Sequence, residues 1–268
     1  MECSVAESAR VDSRARLAED VYIGPCCVIG PDVEIGRGTR LQGHVCLLGA
    51  VELGEFNTVG EFVAIGGEPQ DLSYWGAATR VEIGDHNMIG DRVTIHRATE
   101  KEDGVTGIGS GNRVLAYAHI AHDCKLADRI TVGIRALLGG HVRIESDVII
   151  SENTAILPFV TIGNDSYIGA YSKITQDIPR FMRVEGNPSV IRGLNGQRLK
   201  RRGVSSESLA GLREAHRLLY VLRMPIGQAA TLLDENDHLS PEVLLLLKFV
   251  EAQHDGKLGR AREHPNMS

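Results

Sequence analysis

Every sixth residue through the first two thirds of this chain is aliphatic. From Val5 the series runs Val11, Leu17, Ile23, Ile29, Ile35, Leu41, Leu47, Leu53, Val59 and Ile65, then resumes in the same phase at Ile83, Ile89 and Ile95. After a slip of one residue it continues as Ile108, Val114, Ile120, Leu126, Val132, Leu138, Ile144, Ile150, Ile156, Ile162, Ile168 and Ile174. Glycine often comes next, as in IGP, IGR, LGE and IGD. A period of six is neither the 3.6 of a helix nor the alternation of an ordinary strand. It is the hexapeptide signature of a parallel β-helix. Each hexad supplies one short strand and a tight turn, with the aliphatic side chain on the axis. The small residue after it is expected to let the backbone turn without a Cβ clash. Three hexads close a triangular coil of about 18 residues, so stacking brings residues about 18 apart into register.

Residues 1–178 are read as this β-helix, with two interruptions. The stretch 66–80, GGEPQDLSYWGAATR, replaces regular hexads with polar and aromatic residues, and 98–107, ATEKEDGVTG, carries the residue that shifts the phase. A solenoid accommodates such segments as loops projecting from a corner, where function concentrates. Beyond Ile178 the period vanishes. Residues 179–204 read as a connecting segment and 205–268 as a small helical C-terminal domain. A first helix opens at Ser205-Ser206, with an apolar stripe of Leu209, Leu212, Leu218, Leu219 and Leu222, and ends at Pro225. A second spans about Ile226–Leu233, Ser240-Pro241 caps a third, and the last dozen polar residues are expected to fray.

Composition narrows the function. The net charge of −6 and pI near 5.9 argue against a nucleic-acid binder. The charge is uneven: residues 1–177 carry 15 Lys and Arg against 25 Asp and Glu, whereas 178–268 carry 14 against 10. Five scattered cysteines without a CxxC pair suit a reducing compartment. The start, MECSVAESARVDSR, lacks a secretory pattern, and LLLL at 244–247 is far too short to span a bilayer. A cytoplasmic location is expected.

The chemistry centres on AHIAHDC at 118–124. With Ile120 inward, His119 and Ala121 point outward and His122 and Asp123 fall at the following turn. One coil on, Leu138 matches Ile120, so Gly140 stacks over His122 and His141 over Asp123. A histidine can take a proton from a hydroxyl while a carboxylate fixes its tautomer, and an uncrowded glycine N–H can meet an oxyanion. Cys124 is a conceivable nucleophile, but apolar surroundings raise a thiol pKa. A lone histidine would be read as surface decoration; three at one edge beside an aspartate favour a site.

The stretches IGPCCVIGPDVEIGRGT, QDLSY, TRVEIGDHNMIGDRVTIHR, AHIAHDC, GGHV and LKRRG together resemble the UDP-N-acetylglucosamine 3-O-acyltransferases that begin lipid A synthesis, over nearly the full length. The resemblance implies a left-handed β-helix and transfer of an (R)-3-hydroxyacyl group from acyl carrier protein to the glucosamine 3-hydroxyl, with no cofactor or metal. It implies His122 as general base, Asp123 as its orienting partner and the Gly140 N–H as oxyanion donor. Asp71, His119 and His141 would contact the sugar nucleotide, and Asn195, Arg201 and Arg202 its uridine-diphosphate end. Family members are trimers with the site between subunits, and the basic residues Arg198–Arg202 suit an acidic carrier protein or a diphosphate. Zinc-dependent carbonic anhydrases of the same repeat use a wider His…His-x4-His spacing, so metal is not expected. Two departures stand out: Ser73 where the family's loop has lysine, and Leu157-Pro158 where a His-Gln pair is usual. Leu157 becomes an apolar wall on the active edge, and Ala170 falls at the position thought to limit acyl length. Three alternatives stay open: a coenzyme A donor, an amino-sugar acceptor, or a low-activity paralogue that only binds.

Overall fold

The computed structural model describes residues 3–263. Short strands stack into three sheets of 11, 9 and 8 strands, parallel throughout except for the last strand of the first. Face one begins at Ser4–Val5, face two at Arg10–Val11 and face three at Arg16–Leu17, and the chain visits them in that order in every coil. The register is 18: Ser4 pairs with Tyr22, Tyr22 with Arg40 and Arg40 with Thr58. The sixth-residue aliphatics fill the axis, and Ile23, Leu47, Ile95, Ile120, Leu138 and Ile168 are all fully buried. Each such side chain contributes about 1.5–3 kcal/mol by leaving water. Along one corner an internal ladder adds polar order: Asn87 N–H donates to Asn57 Oδ1, and Asn112 N–H to Asn87 Oδ1, each at 2.8 Å.

The glycines serve a different purpose from the one expected. A Cβ at Gly36 would lie 2.5 Å from the carbonyl carbon of Gly54, and one at Gly24 would lie 2.8 Å from that of Gln42. The crowding is with the next coil, not within the turn. The left-handed residue comes two positions later and usually bears a side chain, as at Cys26, Phe62, His86 and Arg92. Stacking distance, not turn geometry, selects glycine here.

The insertions obey simple arithmetic. Ala50 pairs with Arg80, a step of 30, so that coil carries twelve residues more than 18. Arg80 pairs with Val105, a step of 25, which is seven more. Twelve is two whole hexads and leaves the phase intact; seven is one hexad plus one residue, hence the slip. Both insertions lie between a strand of face two (Ala64–Gly67, Thr94–His96) and one of face three (Arg80–Ile83, Val105–Ile108). They therefore project from the corner that holds His122 and Asp123, two coils before that pair for the first insertion and one coil before it for the second.

Residues 179–204 are more than a connector. Met182–Glu185 extends face one, Val190–Leu194 pairs with it antiparallel, and helix α1 follows at Gly196–Arg201. Helix α2 (Ser206–His216) is capped by Ser205, whose hydroxyl accepts from Ser208 N–H. A π-turn at Arg217–Val221 then breaks the 3.6 spacing, and Leu222, expected on the apolar stripe, is 52% exposed. Helices α3 (Ile226–Glu235) and α4 (Pro241–His254) complete a cluster around Leu212, Leu233, Val243 and Leu246. Within the tail expected to fray, Gly259–Glu263 forms a 3-10 turn; residues 264–268 lie outside the described residues.

Candidate active site

His122 and Asp123 occupy the turn between strands His119–Ile120 of face two and Lys125–Leu126 of face three. Asp123 takes the left-handed conformation, φ 60°, which a short polar side chain tolerates. Its carboxylate is fully buried and lies 2.8 Å from His122 Nδ1. An acceptor facing Nδ1 makes that nitrogen the protonated one and leaves the Nε2 lone pair as the base. The 98–107 insertion supplies the rest of the cradle. Thr99 donates its N–H to both Asp123 oxygens at 3.1 Å and its hydroxyl to Oδ2 at 2.8 Å. Asp123 N–H donates to Thr106 Oγ1 at 2.9 Å.

Gly140 stacks directly on His122: a Cβ there would sit 2.5 Å from the imidazole Cε1 and 2.7 Å from Nε2. Only glycine leaves room for the ring. Among the described residues the Gly140 N–H has no acceptor, whereas the next one, of His141, donates to His122 O at 3.0 Å. A free amide hydrogen thus adjoins the basic nitrogen.

His141 stacks over Asp123 as the repeat requires, but its ring is buried. It lies flat on Phe159 at 4.4 Å, its Nδ1 is 3.2 Å from Glu102 Oε1, and its Nε2 is 3.6 Å from Asp123 Oδ2. Arg262, from the C-terminal 3-10 turn, closes over it by donating to the His141 and Phe159 carbonyls. The His141 and Arg143 partners hold Glu102 down to about 2. His119 is half-buried, with Nδ1 at 2.8 Å from Thr94 Oγ1, and burial together with nearby His96 and His122 lowers its pKa.

Two alternatives can be weighed at this corner. Ligand atoms of His122, Asp123 and His141 lie within 4.8 Å of one another, a spacing compatible with a metal ion. The carboxylate of that set is already committed, since Asp123 Oδ2 takes bonds from both His122 and Thr99, while the carboxylate bonds of His122 and His141 engage Nδ1. We read the cluster as a hydrogen-bonded proton-handling network. Cys124 is buried, with Sγ donating to Gly139 O, and burial pushes its thiol up to about 12. It is unfit as a nucleophile.

The other expected residues divide among the corners. Asp71 reaches the active corner through the 66–80 loop, where Lys101 meets it at 2.6 Å. Leu157 lies on the same corner, half-buried against the core, and Pro158 packs on Gly139. Asn195, Arg201 and Arg202 instead converge with Arg129 and Arg198 at the corner between faces three and one, around a cavity of about 580 Å³. There Arg198 and Arg202 are tied to Asp147 and Asp165, while among the described residues Arg201 has no acidic partner. Ala170 sits at the third corner, beside Tyr171. One chain therefore does not assemble all of these residues at one place. Sequence reasoning missed Thr99, Thr106, Glu102 and Lys101; the phase slip at 98–107 was the available signal that something was built there.

Comparison with known proteins bears on this geometry. Residues 177–258 match the family described as Udp N-acetylglucosamine O-acyltransferase, domain 2, and residues 14–49 and 141–176 match bacterial transferase hexapeptide repeats. The chain is 40% identical over 252 residues to the acyl-[acyl-carrier-protein]–UDP-N-acetylglucosamine O-acyltransferase of Thermodesulfovibrio yellowstonii, covering 94% of this chain and 98% of that one. It belongs to this acyltransferase family. The enzyme of the same name from Stutzerimonas stutzeri is 39% identical over 92% of this chain and 96% of its own. Among solved structures, LpxA from Acinetobacter baumannii superposes with a TM-score of 0.88 at 36% identity, over 92% of this chain and 96% of that one. LpxA from Bacteroides fragilis gives 0.89 at 29%, with the same coverage. The fold is thus the family's left-handed parallel β-helix with a small helical C-terminal part.

Proposed function

We propose that this chain transfers an (R)-3-hydroxyacyl group from acyl carrier protein to the 3-hydroxyl of UDP-N-acetylglucosamine, the opening step of lipid A synthesis. The single observation that carries the mechanism is the buried Asp123–His122 pair beneath a glycine with a free N–H. His122 Nε2 removes the proton of the sugar hydroxyl as its oxygen attacks the thioester carbonyl. The developing oxyanion is met by the Gly140 N–H. Collapse breaks the carbon–sulfur bond, and the departing thiolate takes the proton back from His122. Asp123, locked by Thr99, keeps the imidazole in the productive tautomer throughout.

The separation of corners supports a homotrimer, in which a neighbour's arginine corner faces His122 and brings Asn195, Arg201 and Arg202 to the diphosphate. For the carrier protein, the expectation placed on Arg198–Arg202 is carried by Lys200 and its basic neighbours, since aspartates hold Arg198 and Arg202. Lys200 and Arg213, together with Arg192, which pairs with Glu185, line a second cavity of about 470 Å³ beside α1 and α2, a cationic surface for an acidic partner. No described helix is long and apolar enough to cross a membrane, and the five cysteines are free. Free cysteines support a cytoplasmic enzyme.

The test is mass spectrometry of products from a mixed pool of 3-hydroxyacyl carrier proteins, offered UDP-N-acetylglucosamine and its 3-amino analogue, with acetyl-coenzyme A as a parallel donor. An ester on the natural sugar nucleotide from the carrier-bound pool is expected. Product from the amino analogue or from coenzyme A alone would overturn the reading.

A further inference from the structure

The two insertions at the active corner are bound to each other. Arg97 reaches the 66–80 loop at Glu68 and the Tyr74 hydroxyl, His96 Nδ1 lies 2.6 Å from Glu68 O, and Lys101 Nζ lies 2.6 Å from Asp71 Oδ2. Asp71 meets the second insertion at Lys101, and its side chain is 15% exposed. Its other oxygen, Oδ1, accepts from both the N–H and the hydroxyl of Ser73, at 2.8 and 2.7 Å.

A carboxylate offers about four acceptor positions and an ammonium three donors. Ser73 occupies both positions on Oδ1, and Lys101 one on Oδ2. One acceptor position on Oδ2 and two donors on Lys101 remain, side by side. Lys101 first, then Ser73, also pulls the Asp71 pKa well below the usual carboxylate range, so it stays a pure acceptor. A paired acceptor and donor of this kind matches a sugar hydroxyl next to a second oxygen, such as an amide carbonyl.

We propose that Lys101 is a positioning and specificity-determining residue for the acceptor sugar. It fixes Asp71 toward the ring and gives its own remaining donors to a sugar oxygen. This rests on the acceptor reading above. The sugar, rather than the diphosphate, is its target, because the arginines suited to phosphate lie around the cavity at another corner. Ser73 already touches Asp71, so a lysine placed there would bring an ammonium to the same carboxylate.

Steady-state kinetics with carrier-bound donor tests this. Lys101→Ala should raise KM for UDP-N-acetylglucosamine about tenfold, the scale of one charged hydrogen bond, with kcat changed less than about threefold. The inhibition constant of UDP, which lacks the sugar, should stay put. Lys101→Arg should retain most of the affinity, and Ser73→Lys in the Lys101→Ala background should restore KM to within about threefold of the parent. An unchanged KM in Lys101→Ala, or no rescue by Ser73→Lys, removes Lys101 from the site. A parallel rise in the UDP constant overturns the sugar assignment. If the unaltered enzyme acylates no UDP-N-acetylglucosamine at all, the acceptor reading fails first and this inference falls with it.

Discussion

At the corner between faces two and three, one carboxylate, Asp123, is buried and gathers its hydrogen bonds from Thr99 and His122. At the corner between faces three and one, two carboxylates, Asp147 and Asp165, are bound by Arg129, Arg198 and Arg202. The same scaffold thus handles charge in opposite ways. Asp123 is held by neutral donors, so its charge remains available to steady an imidazole that gains a proton. Asp147 and Asp165 are spent on cations, which makes that corner a frame presenting Asn195 and Arg201, the latter without an acidic partner among the described residues. Within the chain the two corners are kept apart, and in the proposed trimer proton handling and anion recognition would meet between chains.

The largest expected effect comes from removing the base. His122→Ala should lower kcat by about 10²–10⁴-fold, the usual contribution of general base catalysis, while nucleotide binding stays measurable by calorimetry. Unchanged turnover would take His122 out of the mechanism.

The comparison of corners is sharpened by mixing chains. His122→Ala and Arg201→Glu chains, each nearly inactive alone, should regain about one quarter of the sites when co-assembled, since a shared site needs one intact residue from each neighbour. No recovery on mixing would mean that both corners serve the same chain's site.

The smallest effect concerns the second layer. Glu102 is held near 2 in the folded protein against an ordinary value of 4.5, chiefly by His141. A depressed folded pKa contributes stability that is present above about 4.5 and lost as pH falls toward 2. Glu102→Gln should therefore unfold at lower urea than the parent at pH 7, and the gap should narrow between pH 4.5 and pH 3. A gap independent of pH would break the assignment of Glu102 as a charged clamp.

How much of this was legible beforehand follows from what a period can encode. Ile120 and Leu138 at a separation of 18 specify that Gly140 covers His122, because stacking is set by core packing alone. The role of glycine was misjudged, since closeness of neighbouring coils leaves no mark in a single hexad. Thr99 and Glu102 were missed because their positions depend on the path of a loop, which side-chain periodicity does not constrain. Leu222 was assigned to the wrong side because a single π-turn displaces every later position on a helix. His141 was expected to face substrate; register located its backbone correctly, but Phe159, one coil further on, determines where its ring rests.

The twelve extra residues in the step between Ala50 and Arg80 have a consequence for how such enzymes diverge. Segments added in whole multiples of the repeat leave every axial side chain in place, so a reactive edge can be re-equipped while the load on the shaft stays constant. New specificity then arrives as interchangeable cassettes, and the thermodynamic cost of trying one falls on the cassette alone.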